Sequence, residues 1–231
     1  MPGSEKKRLG ILGGMSWHST AYYYSTINEL YSKRHPAGAN PPIILDSFCF
    51  EEVLDLFKKG RASSFLAARA LQLEKSGAEC LVIASNTVHV CYEEIKSAVS
   101  IPVLHIADGV AAELNKRDIK EVALLGTRYT MTQEFYRNRL AQNGLTVFVP
   151  GPDEIRMIDQ VITDELIHGK IIPASEEAYG KVIQGLYHQG AKIVILGCTE
   201  LGMLVKEEKL PIPMLDTAEV HCKMAVDWLL G

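Results

Sequence analysis

The stretch Leu81-Val82-Ile83-Ala84-Ser85-Asn86-Thr87-Val88-His89 reads as an apolar strand that runs into a small residue and then into short polar side chains. A second stretch, Val194-Ile195-Leu196-Gly197-Cys198-Thr199-Glu200-Leu201, is built the same way. Ser85 and Cys198 stand 113 residues apart, as do the turn glycines Gly13 and Gly126 and the pairs Gly77-Ala78 and Gly190-Ala191. An offset shared by separate anchors predicts an internal duplication. A duplicated α/β unit with a pseudo-twofold axis brings its strand ends together. Ser85 and Cys198 would then face one substrate from opposite sides, which suits chemistry needing two faces of one carbon.

Around these anchors, strand-like apolar runs recur at Leu9 to Leu12, Ile43 to Ser47, Cys80 to Ala84 and Val103 to Ile106. They return at Val122 to Leu125, Thr146 to Val149, Ile193 to Leu196 and Ile212 to Leu215. Helical stretches lie between them, among them Ser64 to Ser76 closed by Gly77 and Glu176 to Gln189 closed by Gly190, glycines that suit a left-handed helix terminus. Short apolar runs alternating with helices imply β-α-β crossovers and mainly parallel sheets. The predicted fold is therefore α/β: two similar sandwich domains, each with a four-stranded, mainly parallel sheet. The expected boundaries are 1–106 plus 217–231 for the first domain and 107–216 for the second. The clearest irregular stretch is His35 to Pro42.

Composition narrows the function classes. A chain of 231 residues with 47% hydrophobic and 23% charged residues is ordinary globular material. A formal charge of −4 gives no footprint for nucleic acid. No apolar run approaches the ~20 residues that span a bilayer, and the N-terminus lacks a signal-peptide core, so a cytoplasmic location and no membrane partner are expected. The five cysteines, Cys49, Cys80, Cys91, Cys198 and Cys222, lack the paired short spacings of a zinc site. No metal is expected. Free thiols are, most of them filling the core, with Cys198 set apart by its polar neighbours.

In open parallel sheets ligands bind beyond the carboxyl ends of the strands. Four polar turns belong there: Gly13-Gly14-Met15-Ser16, Ser85-Asn86-Thr87, Gly126-Thr127-Arg128-Tyr129-Thr130 and Gly197-Cys198-Thr199-Glu200. If each opens a helix, its free N–H groups favour an anion, and a carboxylate ligand fits, with hydrogen bonds from Asn86, Thr87 and Thr199. Neither a phosphate loop nor a dinucleotide fingerprint is present. At a helix start the Cys198 thiol is expected below its reference value of roughly 8.5, supplying thiolate as base or nucleophile. Glu200 either orients a proton or opposes thiolate formation. Ser85 alone is a poor carbon base. His89, four residues on, either relays a proton through a water to that hydroxyl or caps and packs.

Together, Gly13-Gly14-Met15-Ser16-Trp17, Ser85-Asn86-Thr87-Val88-His89 and Gly197-Cys198-Thr199-Glu200 resemble the aspartate/glutamate racemase family over essentially the whole chain. Ala107-Asp108 and Gly126-Thr127-Arg128-Tyr129-Thr130-Met131 resemble a subgroup active on acidic or broader sets of amino acids. The resemblance implies a homodimeric, cofactor-independent enzyme. Two cysteines work on opposite faces of the α-carbon, one thiolate removing the α-proton and the other thiol returning one. Carried over by position, Cys198 is the second cysteine, and Asn86, Thr87 and Thr199 surround the substrate carboxylate and amine. Met15, Ser16, Thr127, Arg128 and Thr130 complete the candidate binding set, with His89 and Glu200 as candidate proton relays.

The first cysteine position holds Ser85. Three readings stand: an asymmetric pair, a cysteine replaced to stop turnover, or a one-cysteine relative such as the arylmalonate decarboxylases. Some aspartate racemases hold the distal carboxylate with an arginine after the second strand and a lysine in the second half. Here those stretches read Ser47-Phe48-Cys49-Phe50-Glu51-Glu52 and Glu165-Leu166-Ile167-His168. The expected activity is racemisation of a small amino acid, aspartate or glutamate first, in the cleft between domains. The alternatives are a one-cysteine decarboxylase or isomerase of a small dicarboxylate and a non-catalytic amino-acid-binding relative.

Overall fold

The computed structural model describes residues 7–35 and 39–231, so Pro36 to Gly38 of the expected irregular stretch lie outside the described residues. Strands β1 (Leu9–Gly13), β2 (Ile43–Ser47), β3 (Cys80–Ile83) and β4 (Val103–Leu104) form one sheet in the order β2-β1-β3-β4. Strands β5 (Glu121–Gly126), β6 (Thr146–Phe148), β7 (Ile193–Gly197) and β8 (Met214–Asp216) form a second in the order β6-β5-β7-β8. Every described pairing is parallel. Both sheets thus have one topology, as the duplication predicts.

The central pairs keep the 113-residue offset in their register: Leu9 pairs Cys80 as Val122 pairs Ile193, and Leu12 pairs Ile83 as Leu125 pairs Leu196. β1, β3 and β7 are buried at every position, as strands covered on both faces must be. The edge strand β2 is half-buried or exposed at every position.

Among the described residues the α-helices are α1 (Trp17–Arg34), α2 (Phe50–Lys58), α3 (Ala62–Lys75), α4 (Tyr92–Ala98), α5 (Ile106–Lys116), α6 (Arg128–Thr132), α7 (Glu134–Gln142), α8 (Pro152–Asp164), α9 (Pro173–His188) and α10 (Leu201–Leu204) between strands, and α11 (Thr217–Leu230) after β8. Among the described residues none is long and apolar enough to cross a membrane. The chain divides into two compact units, one taking the residues up to Ile106 together with His221–Gly231, the other Ala107–Val220. In the first, Leu12, Leu66, Leu81, Ile83 and Ile95 join one apolar core. In the second, Leu125, Ile158, Tyr179, Ile183 and Leu196 join another.

One expected strand end needs correction: Ile106 closes no strand, since β4 ends at Leu104 and Ile106 opens α5. Cys80, Cys91 and Cys222 are buried, as expected of most of the cysteines, and Cys49 is exposed and donates its S–H to Glu51 Oε2 at 3.1 Å.

Candidate active site

In the first unit, adjacent pairing of β1 and β3 brings two of the expected turns side by side, with Ala84 N–H donating to Leu12 O at 2.9 Å. Gly14 takes φ +84, and a Cβ there would overlap the backbone N and O of Phe48, so only glycine fits this turn. Phe48 N–H in turn donates to Gly13 O, which ties the end of β2 to the end of β1. Met15 is buried, and Ser16 caps α1 by accepting from Ser19 N–H at 3.3 Å.

Ser85 and Thr87 are half-buried, and Asn86 and His89 are buried. The chain leaves β3 into a 3-10 helix, Thr87–Cys91, and α4 starts only at Tyr92. His89 lies against this turn: its Nδ1 is 2.7 Å from Ser85 O, and its Nε2 accepts from Ile106 N–H at 3.2 Å. A proton relay through His89 would first have to break one of these bonds. The rings of His105, His221 and Tyr92 lie against it, and Tyr23 packs edge-on against His221. Sequence reasoning passed over His105 and His221 entirely, because no spacing links them to the turn. Of the aromatics on α1, Tyr23 is buried, whereas Trp17 is 66% and Tyr24 50% exposed.

The second unit gathers Thr127, Thr130, Cys198, Thr199 and Glu200 at the ends of β5 and β7, which pair through Gly126 and Gly197. A Cβ on Gly197 would meet Leu125 O and the Thr130 methyl, so the two turns pack closely. Thr127 caps α6 and its hydroxyl lies 3.2 Å from that of Thr130. Arg128 is exposed: its N–H donates to Asp159 and its guanidinium lies over the Tyr129 ring at 5.9 Å.

Cys198 directly follows β7 and is partly exposed. Its S–H donates to Glu200 Oε2 at 3.0 Å, and the Thr199 hydroxyl donates to the same oxygen at 2.8 Å. Glu200 is only 4% exposed. Burial first, and the Glu200 carboxylate second, push the Cys198 thiol well above its ordinary range. The expected lowering is thereby reversed: α10 has four residues and starts beyond Glu200, so its N-terminus offers the thiol little against an adjacent negative charge. Asp216, at the end of neighbouring β8, adds to the effect, and burial raises its own carboxyl. Thr217 donates to Leu196 O at 2.9 Å and anchors the start of α11 beside β7.

The profile of the Asp/Glu/Hydantoin racemase family matches residues 12–225. The chain belongs to this family. It is 28% identical to the broad specificity amino-acid racemase RacX of Bacillus subtilis over 96% of this chain and 98% of that one. Among solved structures it is similar to a candidate Asp/Glu racemase from Yersinia pestis, at 38% identity and TM-score 0.92 over 97% of this chain and 100% of the other. It is also similar to an aspartate racemase homologue from Pyrococcus horikoshii, at 32% identity and TM-score 0.85 over the same shares. Glutamate racemase from Francisella tularensis shares the fold at 14% identity and TM-score 0.68, covering 98% of this chain and 82% of that one. Membership of this racemase family supports amino-acid racemase activity.

Proposed function

We propose that the chain is a cofactor-independent racemase of a small amino acid, with aspartate and glutamate the first substrates to test and neutral amino acids next. Cys198 is the principal acid/base and Ser85 serves the opposite face of the α-carbon. Met15, Ser16, Asn86, Thr87, Thr127, Arg128, Thr130 and Thr199 receive the carboxylate and amine.

The observation that supports this reading best is the Cys198 thiol hydrogen-bonded to a buried carboxylate beyond the end of a parallel strand. At rest Cys198 holds its proton and is ready to donate it to a carbanion. To act as the base, it first passes that proton to Glu200: thiol and carboxylate become thiolate and carboxylic acid, and the site keeps one negative charge. The thiolate then takes the α-proton and leaves a carbanion. This thiolate is a strong base for the step because its conjugate acid is held above the ordinary range. Serine has no comparable acidity, so return of a proton from the Ser85 side is the slow step.

Solvent deuterium exchange at the α-carbon, followed by proton NMR for both enantiomers of aspartate, glutamate and several neutral amino acids, tests this. Exchange without inversion is expected from one enantiomer. Cys198→Ala should abolish it, and Ser85→Cys should add inversion. Full exchange in Cys198→Ala would end the proposal. The resting protonated thiol also favours a second reading, a one-cysteine decarboxylase that protonates a carbanion from one side. Release of carbon dioxide from a malonate without α-proton exchange would select it.

A further inference from the structure

Three imidazoles are buried together in the first unit: His89, His105 and His221 are 1%, 2% and 0% exposed. The His89 ring centroid lies 4.6 Å from that of His105 and 5.7 Å from that of His221. Tyr92 packs edge-on against His105 and donates its hydroxyl to Val103 O at 3.0 Å. The Tyr23 hydroxyl lies 2.9 Å from His221 Nδ1. Buried polar rings are tolerated where their nitrogens are satisfied, so their partners report what the cluster does.

Those partners assign the protons. A carbonyl only accepts, so His89 Nδ1, facing Ser85 O, carries a hydrogen. A backbone amide only donates, so Nε2, facing Ile106 N–H, carries none. His89 is therefore the neutral Nδ1–H tautomer. By the same argument His221 donates from Nε2 to Leu104 O at 3.0 Å. Two imidazoles thus hold the Leu104–Ile106 segment, and His89 extends that hold to Ser85. Asn86 has helical dihedrals and accepts from His89 N–H at 3.1 Å, so the 3-10 helix begins here, with the Ser85 carbonyl claimed by the His89 side chain.

We propose that His89 is a positioning residue: as the neutral Nδ1–H tautomer it bridges Ile106 N–H and the Ser85 carbonyl, and so sets where the Ser85 hydroxyl and the Asn86 and Thr87 side chains point. It acts through the turn, not as a proton carrier. The catalytic consequence rests on the racemase reading above; the tautomer and the bridge do not.

The test pairs two amide substitutions. In His89→Asn the amide sits where Nδ1 was and keeps a donor to Ser85 O. In His89→Gln it sits where Nε2 was and keeps an acceptor for Ile106 N–H. In a Ser85→Cys background, where inversion depends on position 85, His89→Gln should lower kcat for inversion about tenfold or more with a smaller change in KM, since small misplacements of reacting groups cost factors of this size. His89→Asn should stay within about threefold, and Tyr23→Phe, which takes the hydroxyl away from His221, should lower stability without moving kcat. Equal losses in both His89 variants, or the reverse order, would overturn the proposal. Independently of turnover, two-bond proton–nitrogen correlations on the unaltered chain, assigned by their loss in His89→Asn, should show the neutral Nδ1–H pattern. The Ser85 carbonyl carbon should shift in His89→Gln and not in His89→Asn. An Nε2–H or imidazolium pattern would overturn the proposal even if the chain is a racemase. Absence of α-proton exchange with every amino acid would defeat the racemase reading and leave these spectra to decide on the bridge.

Discussion

Replacing Gly14 by alanine separates two costs that are usually mixed. Gly14 (φ +84) and Gly60 (φ +65) both lie in the first unit in left-handed backbone, but a Cβ on Gly60 meets nothing within 4 Å, whereas one on Gly14 overlaps the Phe48 backbone. Left-handed strain for alanine costs about 1–2 kcal/mol, offset by about 0.4–1 kcal/mol through the stiffer unfolded chain. Gly60→Ala should therefore lose roughly 1 kcal/mol. Gly14→Ala bears the same strain and must also push Phe48 away. That weakens the 3.3 Å bond from Phe48 N–H to Gly13 O, worth about 1 kcal/mol, and forces a backbone shift of about 1–3 kcal/mol.

The expected excess of Gly14→Ala over Gly60→Ala is about 3 kcal/mol, or a urea midpoint about 2 M lower at an m-value near 1.5 kcal/mol/M. Tryptophan fluorescence is the natural probe, because both tryptophans of the chain, Trp17 and Trp228, belong to the first unit. Equal midpoints for the two variants would show that the end of β2 does not lean on the β1 turn, and the account of how Met15 and Ser16 are held would fall with it.

Glu200→Gln should speed alkylation of Cys198 by iodoacetamide at fixed pH, read by mass spectrometry, because the charge opposing thiolate is gone, yet slow α-proton exchange, because the proton acceptor is gone too. A rise in both would reduce Glu200 to an obstacle. Burial pushes the Cys80 thiol from its ordinary value of 9.0 up to about 12. As pH rises past 9.0 the unfolded chain releases this proton while the folded chain keeps it, so stability falls by on the order of 4 kcal/mol by pH 12. Cys80→Ala should flatten that slope in urea midpoints measured from about pH 8 upward, and an unchanged slope would contradict the burial argument.

What was legible in the chain follows from what a parallel strand demands. β1, β3, β5 and β7 are central, covered on both faces, and so are near-continuous apolar runs whose ends are marked by glycine or small residues. The run Val103 to Ile106 misled at its end because a buried strand and the buried first turn of a helix look alike without periodicity. β8 starts two residues later than expected, after Pro213, and includes Asp216, whose carboxylate accepts from Ala218 N–H and Glu219 N–H to open α11. The thiol and carboxylate were visible two letters apart, but the sign of their effect was not, because burial of Glu200 and the shortness of α10 are tertiary facts. Tyr23 and His221 meet across 198 positions, and nothing local in the chain marks that contact.

The shared register makes the divergence of the two halves informative. The offset that aligns Ser85 with Cys198 also aligns Asn86 with Thr199 and Thr87 with Glu200. In the second half the strand leads into a thiol that donates a hydrogen bond to a carboxylate two positions on. In the first, the strand ends in a hydroxyl whose carbonyl is held by an imidazole, and the aligned position carries a neutral threonine. A thiol introduced at position 85 would therefore gain the acidity that serine lacks without gaining the internal acceptor that Cys198 has. Its proton would have to leave by another route, one that hydroxide or buffer base can assist. Inversion by Ser85→Cys should accordingly rise with pH and with buffer concentration more steeply than exchange at the Cys198 face. Parallel responses of the two would mean that both faces draw on one proton acceptor, and the asymmetry read from Glu200 would lose its chemical meaning.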